Sequence, residues 1–126
     1  MRIIRQAFTM VPTTDLSESI AAYVAGGLEV LWHPDSHTTL LGANQRACVM
    51  VEDDLTERDL GVGPVLLVDD LSTLTLGDAA RLVIPVMNVP VGRYAAIDHA
   101  GTVLRYLDLT MCEDNLRIWF ETPKLA

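Results

Sequence analysis

Cysteine is scarce in this chain of 126 residues: there are two, Cys48 and Cys112. Two distant cysteines build no disulfide framework, and without a Cys-x-x-Cys there is no thiolate zinc site. Cys48, in Ala47-Cys48-Val49-Met50-Val51, reads as a small buried hydrophobe. A catalytic thiolate would need a positive neighbour on its own strand face to lower its pKa. Basic residues are also few, nine against 17 acidic ones, and the formal charge is −8. Phosphate backbones are held by Lys/Arg clusters, and these nine are scattered, so nucleic acid is excluded as a partner and the acidity serves solubility. Every apolar run is interrupted by charged or turn residues, which excludes a membrane span. The N-terminus, Met1-Arg2-Ile3-Ile4-Arg5-Gln6, lacks the apolar stretch and cleavage site of a signal peptide, so the chain is expected in the cytoplasm. There is no G-x-S-x-G, P-loop or G-x-G-x-x-G, and no catalytic residue can be named. What is present is a chain half hydrophobic with mean hydropathy +0.28, enough to build the core of one domain over 1–126.

Residues 3–12 are rich in β-formers, and Pro12 closes them as a first strand. Asp15 and Glu18 form a capping-box pattern, and Leu16, Ile20, Tyr23 and Val24 make one apolar stripe. The spacing predicts a helix over 16–25, stopped by Gly26-Gly27. Strands follow at 28–33, at 37–41 and at 46–52, with turns at Pro34-Asp35 and Gly42-Ala43-Asn44. The charged stretch 53–63 reads as a linker. The order then repeats: a strand at 64–68, an Asp69-Asp70-Leu71 helix start with a helix expected over 71–82, and strands at 83–89, 93–97 and 102–109. Two strand patterns flank the turn Asp98-His99-Ala100-Gly101, where Gly101 supplies a positive φ. His99 reads as solvated. The tail, 111–126, carries Ile118-Trp119-Phe120 and fits an extra edge strand or a short helix on the outside.

A duplicated β-α-β-β-β order, with Val11-Pro12-Thr13-Thr14-Asp15-Leu16 and Gly27-Leu28-Glu29, then Leu67-Val68-Asp69-Asp70-Leu71, then Gly92-Arg93 through Asp98-His99-Ala100-Gly101, resembles the vicinal oxygen chelate superfamily. That superfamily includes glyoxalase I, the bleomycin-resistance proteins and the extradiol dioxygenases. The resemblance implies an α+β fold of tandem βαβββ modules, about 3–52 and about 64–110, forming a curved, cup-like mixed sheet, with 111–126 as an extension. It also implies a homodimer. The superfamily's enzymes hold a divalent metal with a His or Gln early in the first strand of each module and a Glu in the last. Those positions fall on Phe8, Gly63 and Arg105, and on Cys48 or Met50. Phe8, Gly63 and Arg105 cannot ligate a hard or borderline metal, so no metal or other cofactor is expected.

His33 and His37 bracket Pro34-Asp35-Ser36 and could pair on a metal, but without a third ligand beyond Asp35 they read as an exposed loop. Arg105 shares a strand face with Val103, Leu107 and Leu109. If that face lines the cup, the guanidinium needs an anionic partner. The partner is either a bound carboxylate, phosphate or phenolate, or an internal acid such as Glu52. Phe8, Met10, Trp32, Met50 and Tyr94 are the further candidate ligand-binding residues, and Tyr106 and Met87 could join them; each could equally be core. The leading expectation is a glyoxalase/bleomycin-resistance-like protein binding a small anionic or aromatic molecule without a metal. The alternatives are a metal-dependent lyase or dioxygenase and a non-catalytic scaffold or regulatory subunit.

Overall fold

A computed structural model describes residues 1–120 of the chain. The chain divides into two compact units. The first holds Phe8–Val62 and the described residues from Ile118 on; the second holds Met1–Ala7 and Gly63–Arg117. Strand β1 (Ile3–Pro12) therefore contributes to both.

The first unit continues with α1 (Leu16–Ala25), β2 (Glu29–Asp35), β3 (Thr38–Ala43), β4 (Arg46–Glu52) and α2 (Leu55–Leu60). Its strands are ordered β2-β3-β4-β1. β4 runs parallel to β1, with Thr9 opposite Val49 and Met10 opposite Met50, and antiparallel to β3. Asp15 caps α1 by accepting from the Glu18 N–H at 3.0 Å. The reciprocal half of the box is made by Thr13, whose Oγ1 takes the Asp15 N–H at 3.1 Å. The helix ends at Gly26, whose N–H reaches the Ala22 and Tyr23 carbonyls.

Four expectations change here. The linker contains α2, because Asp54 accepts the Glu57 N–H at 2.9 Å and starts a helix as Asp15 does. β2 runs on through Pro34, which an edge strand tolerates since it has no second ladder to supply. The β3–β4 turn is Asn44-Gln45, both at positive φ. Cys48 is exposed, not buried: it is the extra residue of a bulge between the pairs Leu41–Val49 and Gly42–Ala47, so no β3 residue stands opposite it.

The second unit contains β5 (Gly63–Val68), a 3-10 turn (Leu71–Thr73), β6 (Ala80–Val89), β7 (Gly92–His99), β8 (Thr102–Asp108) and α3 (Asp114–Arg117). Its order is β1-β5-β8-β7-β6, with β5 parallel to β8. The helix expected over 71–82 is absent. Thirteen residues, 16–28, separate Asp15 from β2, but only nine, 71–79, separate Asp70 from β6. Those nine include Thr73, Thr75 and Gly77, poor helix formers. Pro85 is accommodated because β6 is an edge strand.

Buried Asp108 organises the loops of this unit. Its carboxylate accepts from the Leu71 N–H at 2.8 Å, the Arg93 N–H at 2.8 Å and the Thr110 hydroxyl at 2.7 Å. A Cβ on Gly92 would run into the Asp108 carbonyl and carboxylate, which explains the glycine of the Gly92-Arg93 pair. Burial pushes the Asp108 carboxyl up, but the donations from Leu71, Thr110 and Arg93 outweigh it and hold the group below the usual range. The β7–β8 hairpin closes on Ala100-Gly101, both at positive φ, a two-residue primed turn. The Asp98 carboxylate accepts the Gly101 N–H at 2.7 Å. Val68, Leu71, Ala95, Ile97 and Tyr106 form a core cluster on one face.

Candidate functional site

Arg105 lies in the middle of β8, opposite Val65 of β5 and Ala96 of β7. It is 1% exposed. Two features make room for so large a cation. Its cross-strand neighbours are the small Val65 and Ala96, and a Cβ on Gly63 would stand 2.8 Å from Arg105 Nη1. Gly63 thus leaves the space that the guanidinium takes. Tyr94 shares this face, because it pairs with Leu107, two residues along β8, and it is buried. Tyr106 points to the other face with its partner Ala95. Met87, opposite Tyr94, stands on the exposed edge strand.

In the first unit, the register places Met10, Met50, Leu40 and Trp32 in one row across β1, β4, β3 and β2. Met10 and Phe8 are both 4% exposed. The cover over two of these side chains comes from the chain's tail, which the sequence pattern did not show. Phe120 packs on Phe8 with ring centroids 6.1 Å apart, and Trp119 packs on Trp32 at 6.1 Å. The Trp119 carbonyl accepts the Ala47 N–H at 2.9 Å, fixing the tail to β4. The tail is thus a short helix, α3, followed by an aromatic pair; residues 121–126, which the sequence ends on in polar character, lie outside the described residues.

The capping residues Asp15 and Asp70 stand 55 positions apart, and the same offset fits Met50, not Cys48, to Arg105. Met10 opposite Met50 corresponds to Val65 opposite Arg105. Met50 is therefore the counterpart of Arg105, and Phe8 the counterpart of Gly63.

Glu52, at the end of β4, is half-buried and accepts the Thr38 hydroxyl at 2.7 Å. Burial drives its carboxyl up to about 7; the Thr38 bond opposes the shift, and the negative fields of Asp35, Glu57 and Asp54 add to it. His33 Nδ1 lies 2.7 Å from Thr39 Oγ1 of β3, and the His37 backbone N–H donates to the Asp35 carboxylate at 2.7 Å. His99 is not a solvated turn residue. It is half-buried, with Nε2 2.6 Å from the Tyr106 hydroxyl, because it ends β7 beside the core face.

No family model matches this sequence, and no curated protein matches it. Solved structures do match in fold. An uncharacterized protein from Methanosarcina mazei has 18% identity and a TM-score of 0.59, over 90% of this chain and 98% of its own. A glyoxalase/bleomycin resistance protein/dioxygenase superfamily member from Vibrio splendidus 12B01 has 21% identity and a TM-score of 0.54, over 85% of this chain and 97% of its own. The chain has the vicinal oxygen chelate fold. Homoprotocatechuate 2,3-dioxygenase from Arthrobacter globiformis shows the same likeness, with 17% identity and a TM-score of 0.58 over 90% of this chain. This chain spans 38% of that enzyme's length.

On the vicinal oxygen chelate fold, the four positions that the resemblance gives to metal ligands are Phe8, Met50, Gly63 and Arg105 here. A phenyl ring, a thioether, a glycine and a guanidinium make no donor set for a hard or borderline dication, and the guanidinium repels one. Among the described residues, no three His, Cys, Asp or Glu side chains are grouped so as to hold a metal ion. The residues do not fit the metal of the superfamily's enzymes.

Proposed function

We propose that the protein binds a small anionic or aromatic molecule without a metal, anchored in the second unit by the strand face that carries Arg105 and Tyr94; in the first unit, taken by itself, Phe8, Met10, Trp32 and Met50 are the proposed ligand contacts. The observation that carries this reading is the buried Arg105 with Gly63 clearing space for its guanidinium. A guanidinium has five N–H donors, so it can serve an internal acceptor and still bind a ligand anion in bidentate fashion. Benzoate, which is both anionic and aromatic, is the probe. Calorimetry is expected to show binding that Arg105→Ala weakens about tenfold or more, the loss of a charge-assisted bond worth about 1.5–3 kcal/mol. Arg105→Lys should recover part of it. Unchanged affinity in Arg105→Ala ends the role of Arg105. Stoichiometric metal in protein purified without chelator ends the metal-free reading.

The packing of Trp119 on Trp32 and of Phe120 on Phe8 favours a second reading, a scaffold or regulatory subunit whose ligand face is covered by its own tail. Trp119→Ala separates the two. Tighter benzoate binding in that variant means the tail competes with ligand, whereas no binding in either protein favours the scaffold. We also infer a homodimer, on the resemblance alone. Light scattering at micromolar concentration is expected to give twice the chain mass of 13.8 kDa, and a monomer would refute it.

A further inference from the structure

The missing helix of the second unit leaves the core side of its sheet open where α1 would stand in the first unit. A cavity of about 410 Å³ lies there, bounded by Leu74, Leu76, Ala80, Ile97, His99 and Tyr106 among its lining residues. That volume falls within the range of about 300–1,000 Å³ that small-molecule sites occupy. The cavity is on the opposite face of β8 from Arg105, since Tyr106 and Arg105 are consecutive residues of one strand.

Its chemistry selects a ligand class. No carboxylate, Lys or Arg side chain lines it, so a charged molecule would lose hydration without gaining a side chain of opposite charge. Its polar side chains are Thr75, His99 and Tyr106; His99 Nε2 lies 2.6 Å from the Tyr106 hydroxyl, with the rings edge to face at 5.8 Å. Whichever of the two groups donates in this bond, the phenolic oxygen keeps at least one lone pair to accept another. Burial raises the Tyr106 pKa, so the phenol keeps its proton at neutral pH. A ligand that satisfies this acceptor brings an O–H of its own.

We propose that this cavity is a second binding site, separate from the face of Arg105, for an uncharged and mainly apolar molecule carrying one hydroxyl, of the phenol or alcohol class. Its floor is Ile97 and Tyr106, its roof is the 74–80 segment that replaces the helix, and the Tyr106 oxygen accepts the ligand's hydroxyl proton.

The test uses 4-propylphenol and its methyl ether, 4-propylanisole, titrated into the full chain and followed by amide chemical shifts. Expected is saturable binding of the phenol with shifts at residues 74–80, 97 and 106, and binding of the ether about five- to tenfold weaker, the value of one hydrogen bond. Tyr106→Phe should bring the phenol down to the ether. Because Tyr106 is a core residue, the comparison of the two probes on the unaltered protein stands even if that variant fails to fold. Leu76→Arg and Ala79→Trp, both at exposed lining positions, should each abolish binding. The proposal is overturned by equal affinities for phenol and ether, by binding that survives both lining variants, or by the absence of saturation at millimolar probe. It is also overturned if Leu76→Arg instead converts a dimer to a monomer in light scattering without any phenol binding, which would assign the cavity to a second copy of the chain. Benzoate titrated into the same unaltered protein is a separate readout, so this site and the proposed anion site succeed or fail separately.

Discussion

Asp108 ties the start of the 3-10 turn, the Gly92-Arg93 bend and Thr110 to one buried carboxylate. Asp108→Asn replaces an acceptor-only group with one that turns an N–H₂ toward backbone donors. A charge-assisted bond is worth about 1.5–3 kcal/mol and an orphaned buried N–H costs about 1–3 kcal/mol, so the variant should lose about 2–4 kcal/mol in urea unfolding. A loss under about 1 kcal/mol would show that the loops hold without it. Part of this scale was legible in advance. The Gly92-Arg93 and Asp98-x-x-Gly101 spacings reflect turn chemistry that needs those residue types, and the structure uses both. Asp108 itself gave no signal, because one acid at a strand end looks like any solvated residue until the chain folds over it. The same holds for His99, whose partner Tyr106 is reached only through the hairpin register, and for Gly63, whose role is the space it leaves for a residue 42 positions away (63 to 105).

At the scale of elements, two similar helix starts have different outcomes. Asp15 and Asp70 both cap, Asp15 on Glu18 and Asp70 on Ser72, yet only the first is followed by a ten-residue helix. Local caps report where a helix can begin; the chain length available before the next strand decides whether it continues. Loss of the Asp15 cap should therefore weaken a real helix. Asp15→Ala is expected to destabilise by about 1 kcal/mol, checked by the urea midpoint at constant slope, and no change would mean that Thr13 alone suffices. The strands were readable as runs of β-formers bounded by turn residues, whether mostly exposed like β2 and β6 or buried on both faces like β3 and β7. The tail was not: Trp119 and Phe120 carry no periodicity, and their partners Trp32 and Phe8 lie far off in sequence.

Over the whole molecule, ionisation sets a stability profile with its maximum on the acid side of neutrality. Glu52 is raised to about 7, so the folded state holds its proton where the unfolded chain has released it. Its contribution is fully present below the ordinary carboxylate range and is lost as pH rises to about 7 and beyond. Asp108 and Asp70 are lowered, Asp108 by its donors against burial, Asp70 chiefly by Ser72. Their contribution is present above the ordinary range and disappears as pH falls through their folded values. Repulsion within a chain of net charge −8 acts in the same direction as Glu52. Thermal unfolding from pH 4 to 9 should peak near pH 5–6, and Glu52→Gln should flatten the alkaline side. A maximum at pH 8 in the unaltered protein would refute this assignment.

Strand β1 belongs to both units, and that division sets an order of events during synthesis. The Arg2 backbone bonds to Asp69, 67 residues later, and β1's neighbour in the second unit is β5. At about 5–20 residues per second, the ribosome takes about 3–13 s to make that intervening length. Until that length is made Ile3 and Ile4 have no β5 to lie beside, whereas Thr9 to Pro12 can pair with β4 as soon as Glu52 is made. Strand β1 is thus finished in two instalments, its C-terminal part before its N-terminal one.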